Sequence, residues 1–270
     1  MARLRHTILL TSVTRPQVEG SIGVAHTVLE SLRAQGGTLV AEDGRPVVGA
    51  ELRKGEHLRP GARYGLVDSH EQTVESEVLA WDRDRETGVR VEVTHPAYTF
   101  PDGAETASGR VVSVLRLHSA ERPERLDLSV DGALTRPDGR RRRMRWFTLH
   151  GSLDFARWWE AADGAGTSAR PALVLRVRHP ILRAAIQASP RAGAEGTWQI
   201  DVVTMLRGRG LARPVAAVPL LATRRMMRRA IGQALDRVAH DWINHVVPEL
   251  ARDPEELRQR LLDGLCTRKL

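Results

Sequence analysis

Between residues 74 and 150 the sequence repeats one device: short segments in which apolar and polar residues alternate, separated by tight-turn residues. Val89, Val91 and Val93 alternate with charge. In "RVVSVLRLH", Val112, Val114 and Arg116 point one way while Val111, Ser113 and Leu115 point the other. Leu126, Leu128 and Val130 keep strict period two, and "DRDRETG", "PDGAETASG" and Asp138-Gly139 supply the turns. Successive side chains of a strand face opposite sides, so this pattern predicts an antiparallel meander with one face apolar.

Other elements flank it. Leu4, His6, Ile8 and Leu10 predict a first strand, which Pro16 ends. Val18, Ile22, Ala25, Val28, Leu29 and Leu32 follow at helical spacing until "QGG". Residues 42–65 read as turn-rich, with turns at Asp43-Gly44 and Pro60-Gly61. "SLDFARWWEAADG" predicts a short helix capped by Ser152 and ended by Gly164. "ALVLRVRH" and "TWQIDVVTML" predict strands, with Trp198, Ile200 and Val202 on one face, and "ILRAAIQASPRAGAEG" between them reads as a short helix and loop. Past Pro214 and Pro219, Met227, Ile231, Leu235, Val238, Trp242 and Val246 form an apolar stripe at spacings of three and four, the mark of a long amphipathic helix.

Net charge is +8, from 41 basic and 33 acidic residues, but Lys54 and Lys269 are the only lysines. Arginine enrichment of this kind accompanies GC-rich bacterial coding, so nucleic acid is not the favoured partner. Six of the eleven aromatics are Trp, which suits a few large anchors better than a stacking surface. The single cysteine, Cys266, excludes an intramolecular disulfide and a cysteine-based zinc site. The N-terminal apolar run is too short for a signal peptide and no run is long enough to span a membrane, so a cytoplasmic protein is expected.

The order strand, proline, helix, antiparallel sheet, long C-terminal helix resembles the helix-grip fold of the START-like (SRPBCC) superfamily, which includes bacterial polyketide cyclases and aromatases. The likeness rests on "RHTILLTSVTRPQVEG" and on residues 196–245. It implies an α+β fold in which a curved antiparallel sheet grips the C-terminal helix. On that reading residues 1–250 form a single domain enlarged by an elaboration at 151–195, and residues 251–270 a tail. It also implies a hydrophobic small molecule bound in an internal cavity, as in a cyclase or dehydratase of secondary metabolism, without a cofactor. An acyl carrier protein is then a candidate partner. A non-catalytic lipid carrier and a basic partner-binding module are the alternatives.

Candidate site residues follow from both readings. Met227, Ile231, Leu235, Trp242 and Trp198 would line the cavity. Asp241 and His245 stand one helical turn apart, where a carboxylate can orient an imidazole for proton transfer, although such pairs are common on solvent-facing helices. His150 and Arg116 are strand-borne polar candidates. Arg207 and Arg209, in the glycine-rich "LRGRGLARP" ahead of a helix start, are placed to hold an anion. One helix supplies too few ligands for a metal, so none is expected. "RRRR" at 140–143 reads as a charged hairpin tip. No GxSxG, HExxH or GxGxxG motif is present.

Overall fold

A computed structural model describes residues 2–67, 73–95, 108–135, 144–164, 170–194, 196–208 and 224–267. Its strands are β1 (Ala2–Thr11), β2 (Arg33–Gln35), β3 (Thr38–Val40), β4 (Pro46–Lys54), β5 (Arg63–Val67), β6 (Thr73–Asp82) and β7 (Glu86–His95). They continue with β8 (Ser108–His118), β9 (Arg125–Thr135), β10 (Met144–Asp154), β11 (Leu173–Arg178), β12 (Leu182–Ala192) and β13 (Thr197–Gly208). The helices are α1 (Arg15–Ser31), α2 (Phe155–Ala162), α3 (Arg224–Asp241), α4 (Val247–Leu250) and α5 (Pro254–Thr267), with a π-helical turn at Trp242–Val246 between α3 and α4. The strands form one antiparallel sheet of thirteen, in the order β1-β13-β12-β11-β10-β9-β8-β7-β6-β5-β4-β3-β2. From β2 onward each strand lies beside its successor, and β1 pairs with the last strand.

The chain divides into two compact units. Unit 1 holds residues 1–18, 124–126 and 149–252; unit 2 holds 19–123, 127–148 and 253–270. In unit 2, Val28 of α1, Leu32 just after it and Leu262 of α5 pack with Leu39, Val47, Tyr64 and Val78 into one core. Arg45 reaches Asp263 of α5 at 2.6 Å, tying the β3–β4 turn to that helix. His57 bridges Leu29 and Tyr64: its Nε2 lies 2.9 Å from the Leu29 carbonyl, which only accepts, so Nδ1 accepts from the Tyr64 hydroxyl at 3.0 Å.

In unit 1, alternate residues of β1 and β13 (Ile8, Leu10, Trp198, Ile200, Val202) meet Leu235, Ala239 and Trp242 in a second core. Ala2, Leu4 and Leu206 continue it, covered by Ile231. The β1–β13 ladder is regular from Ala2↔Leu206 to Thr11↔Thr197, so these residues share one face and Arg3, Arg5, Thr7 and Leu9 the other.

The structure overturns the curved sheet gripping a long C-terminal helix. The sheet has thirteen strands and the helices are a minor part of the chain. Two segments account for much of the difference. The turn-rich stretch contains β4 and the start of β5, with β2 and β3 just ahead of it, and "ILRAAIQASPRA" is β12, a central strand paired on both sides rather than a helix. The C-terminal helix itself offers a narrow contact: Ile231, Leu235 and Ala239 rest on the unit 1 core, while Met226 and Val238 are 66% and 55% exposed. The first helix, the alternating strands and their antiparallel pairing agree with the sequence reading. Asp154, not Ser152, caps α2, accepting from the Arg157 amide at 3.0 Å. The turn at Asp138-Gly139 and the "RRRR" run lie outside the described residues.

His26 makes unit 2 sensitive to acid. It is 6% exposed and stacked on Trp81 at 4.7 Å, and its Nδ1 has no hydrogen-bond partner. Burial, then the neighbouring Arg83 charge, hold its pKa below the ordinary 6.5, against the opposing pull of Glu30. The unfolded chain therefore takes the proton first as pH falls. The stabilising contribution is complete above the unfolded value and is lost on moving down towards the folded one. Denaturant midpoints at about pH 7.5 and about pH 5.5 should fall in the wild-type protein and fall less in His26→Asn. Equal decrements would contradict this.

Candidate functional site

On the face of the unit 1 sheet opposite its core, the registers place Thr7, Asp201 and Ser189 side by side across β1, β13 and β12. Asp201 organises the row. Its Oδ1 accepts from the Thr7 hydroxyl at 3.0 Å and its Oδ2 lies 2.8 Å from Arg191 Nη2. Arg5, Val203 and Gln187 form the next row. The start of α2 is tied to the lead-in of β11, with the Asp154 amide donating to the Ala172 carbonyl at 2.9 Å. This brings Arg157, Ala161, Gly164 and Arg170 beside the same rows, and together they bound a cleft of about 870 Å³. Four arginines (Arg5, Arg157, Arg170, Arg191) line it against one carboxylate, Asp201. Arg157 also pairs with Asp154 at 3.2 Å, which fixes its direction without neutralising the others.

Two smaller hollows adjoin it. One, of about 460 Å³, has Val13, Trp159 and Trp198 in its wall and shares Ala192 with the cleft. The other, of about 430 Å³, lies between β1 and α3, where His6 Nε2 is 4.0 Å from Asp236 Oδ1 and Arg228 and Arg229 stand beside it. Gly232 of α3 faces the His6 ring there. His6 also lines the main cleft.

Of the residues anticipated from sequence, Trp198 borders the 460 Å³ hollow, and none lines the main cleft. Trp198 is 6% exposed and sits at the centre of a ring cluster, 5.6 Å from Trp158, 5.8 Å from Trp159 and 6.2 Å from Trp242. Trp242 donates its indole N–H to the Thr11 carbonyl at 2.8 Å. These two are brought together, and Leu235 joins the same core while Ile231 covers its continuation. Asp241 and His245 are both exposed, with no hydrogen bond or ion pair between them among the described residues. Asp241 precedes the π-helical turn and His245 lies within it, where Asn244 bonds back to the His240 carbonyl at 2.8 Å. His150 is exposed on β10. Arg116, in unit 2, is paired with Glu86. Arg207 is exposed on β13. The Met227 side chain and Arg209 lie outside what is described.

The cleft residues occupy the polar positions of strands whose sequence signal lies in their apolar positions. One signal was available. In "TWQIDVVTML" the face opposite Trp198, Ile200 and Val202 carries Asp201, an acid among arginine-rich neighbours.

No protein-family model matches the sequence, and no curated protein matches it either. Among solved structures, the chain aligns with the crystal structure of DynU16, described as a putative protein in the dynemicin biosynthetic locus. The identity is 12% over 78% of this chain and 87% of that one, with a TM-score of 0.19. A TM-score that low assigns neither a fold nor an activity, and membership of the helix-grip superfamily does not follow from it. Among the described residues no group of three metal-ligating side chains comes together, and no helix is long and apolar enough to cross a membrane.

The close packing of indoles gives a direct test of which Trp holds unit 1. Trp198→Ala should cost about 3–5 kcal/mol in denaturant melts, the range for deleting a buried large ring. Trp242→Phe, which keeps a ring but loses the bond to Thr11, should cost about 0.5–1.5 kcal/mol. The reverse order would move the centre of the core to the helix.

Proposed function

We propose that unit 1 binds an anionic small molecule in the cleft bounded by β1, β13, β12 and α2. The observation that carries this reading is the excess of guanidinium groups over carboxylates on its wall, with Arg191 held by the carboxylate that Thr7 also binds. Arginine forks favour planar carboxylates and phosphates, and their direction is fixed in advance here by Asp201 and Asp154. The adjoining hollow with Val13, Trp159 and Trp198 offers an apolar wall to the rest of such a molecule. A ligand with an acid group and an apolar ring or chain fits both, which keeps the hydrophobic part of the sequence reading and adds a charged end.

Turnover of the bound molecule, by cyclisation or dehydration, would need a proton-transfer group. His6 is the histidine that borders the cleft; its ring turns to the α3 side of β1, where Asp236 Oδ1 lies 4.0 Å away. A carrier would bind equally well without that pair, so loss of turnover in His6→Gln with binding retained separates the enzyme from the carrier.

Thermal-shift titration with aromatic carboxylates, phosphate monoesters and their neutral amide or ester counterparts tests the reading. The acids should raise the melting temperature and the neutral analogues should not. Arg157→Gln with Arg170→Gln should weaken binding by about 1–3 kcal/mol, the range for charge-assisted hydrogen bonds. Equal response to acids and neutral analogues would remove the anion from the proposal.

A further inference from the structure

The same sheet face continues past the cleft, and there its charge is unopposed. Arg178, Arg183 and Arg207 stand opposite one another across β11, β12 and β13. In the next row Arg176 and Arg3 flank Ala185 and Met205. All five guanidinium-bearing residues are exposed, and none has a hydrogen bond or ion pair among the described residues. Unit 2 treats its strand arginines differently: Arg63, Arg90, Arg110 and Arg116 each pair with a glutamate on a neighbouring strand. Like charges directly opposite on a sheet destabilise it, so the unit 1 rows work against folding unless an anion covers them.

The apolar residues on this side indicate which anion. Ile181 is 62% exposed at the tip of the β11–β12 hairpin, where His179 and Leu182 close the turn between Arg178 and Arg183. The strand positions on this face carry no aromatic ring on which bases could stack. Among the described residues no helix is presented on this face to a duplex groove. Arginine rows ending at an exposed isoleucine tip match an anionic bilayer, whose headgroups take the charge while the short apolar tip enters the interface. We propose that this face docks unit 1 peripherally on an anionic phospholipid surface, with Arg3, Arg176, Arg178, Arg183 and Arg207 against the headgroups and Ile181 in the interfacial layer.

Cosedimentation of the full chain with vesicles tests it. The protein should partition onto phosphatidylcholine vesicles containing roughly one-third phosphatidylglycerol and not onto pure phosphatidylcholine. Each arginine should be worth about five-fold in partitioning, so Arg176→Gln, Arg178→Gln and Arg183→Gln together should lower it by about 100-fold. Ile181→Ser should lower it further. Arg228→Gln, Arg229→Gln and Arg237→Gln remove the same charge from α3, which packs against the other face of β1. That variant should retain most of the partitioning. The face variant should melt no lower than the wild-type protein, because like-charge repulsion has been removed, and Arg183→Gln alone, at about five-fold, repeats the test with one substitution. No partitioning, equal losses in the two triple variants, no effect of Ile181→Ser, or tighter binding to a DNA duplex than to the vesicles would each overturn the proposal.

Discussion

The ladder between β1 and β13 is the constraint on which unit 1 depends. It joins the first strand to the last over ten consecutive pairs without a shift in register. Two consequences follow from that single alignment. Leu4, Ile8 and Leu10 fall on the same side as Trp198, Ile200 and Val202, which closes the core beneath α3. Thr7 falls beside Asp201, and Arg5 beside Val203, which builds one wall of the cleft. A slip of one residue would exchange these faces, burying arginine and exposing the core. Core and cleft are therefore two results of one register.

The two units use the same kind of strand for different ends. In unit 2, arginine and glutamate alternate across neighbouring strands, so charge is balanced where it arises. Those half-exposed pairs contribute modestly to stability, and what they add is a polar face without net field. In unit 1 the arginines exceed the acids, and the one acid on the strand positions of that face is engaged by Thr7 and Arg191. Uncompensated charge lowers the stability of the bare protein, which is the usual condition of a surface that binds something.

What could be read from the sequence follows the range of the forces involved. Period-two alternation announced β7, β8, β9 and β13, because the pattern is local and the apolar face repeats it. Helix α1 was legible from the spacing of Val18, Ile22, Val28 and Leu32. By contrast β12 contains Ala184, Ala185, Ile186 and Gln187, a composition that suits a helix. It is a strand because β11 and β13 offer ladders on both sides, a tertiary preference that outweighs local propensity. The apolar stripe of α3 was visible, but the spacing could not tell a helix clasped by a sheet from one resting on it along Ile231, Leu235 and Ala239. The cleft was least legible. Thr7 and Asp201 are 194 residues apart, and nothing local aligns them. Asp241 and His245 attracted attention because helical spacing is easy to read, whereas strand register is set by partners elsewhere in the chain.

The central claim is that the cleft of unit 1 holds an acid. Native mass spectrometry of the full chain purified from its own host, with ejection and fragmentation of any retained molecule, tests it most directly. The account predicts a small molecule bearing a carboxylate or phosphate, present in the wild-type protein and depleted when Arg157 and Arg170 are replaced by Gln. A neutral ligand retained equally by both proteins would contradict it.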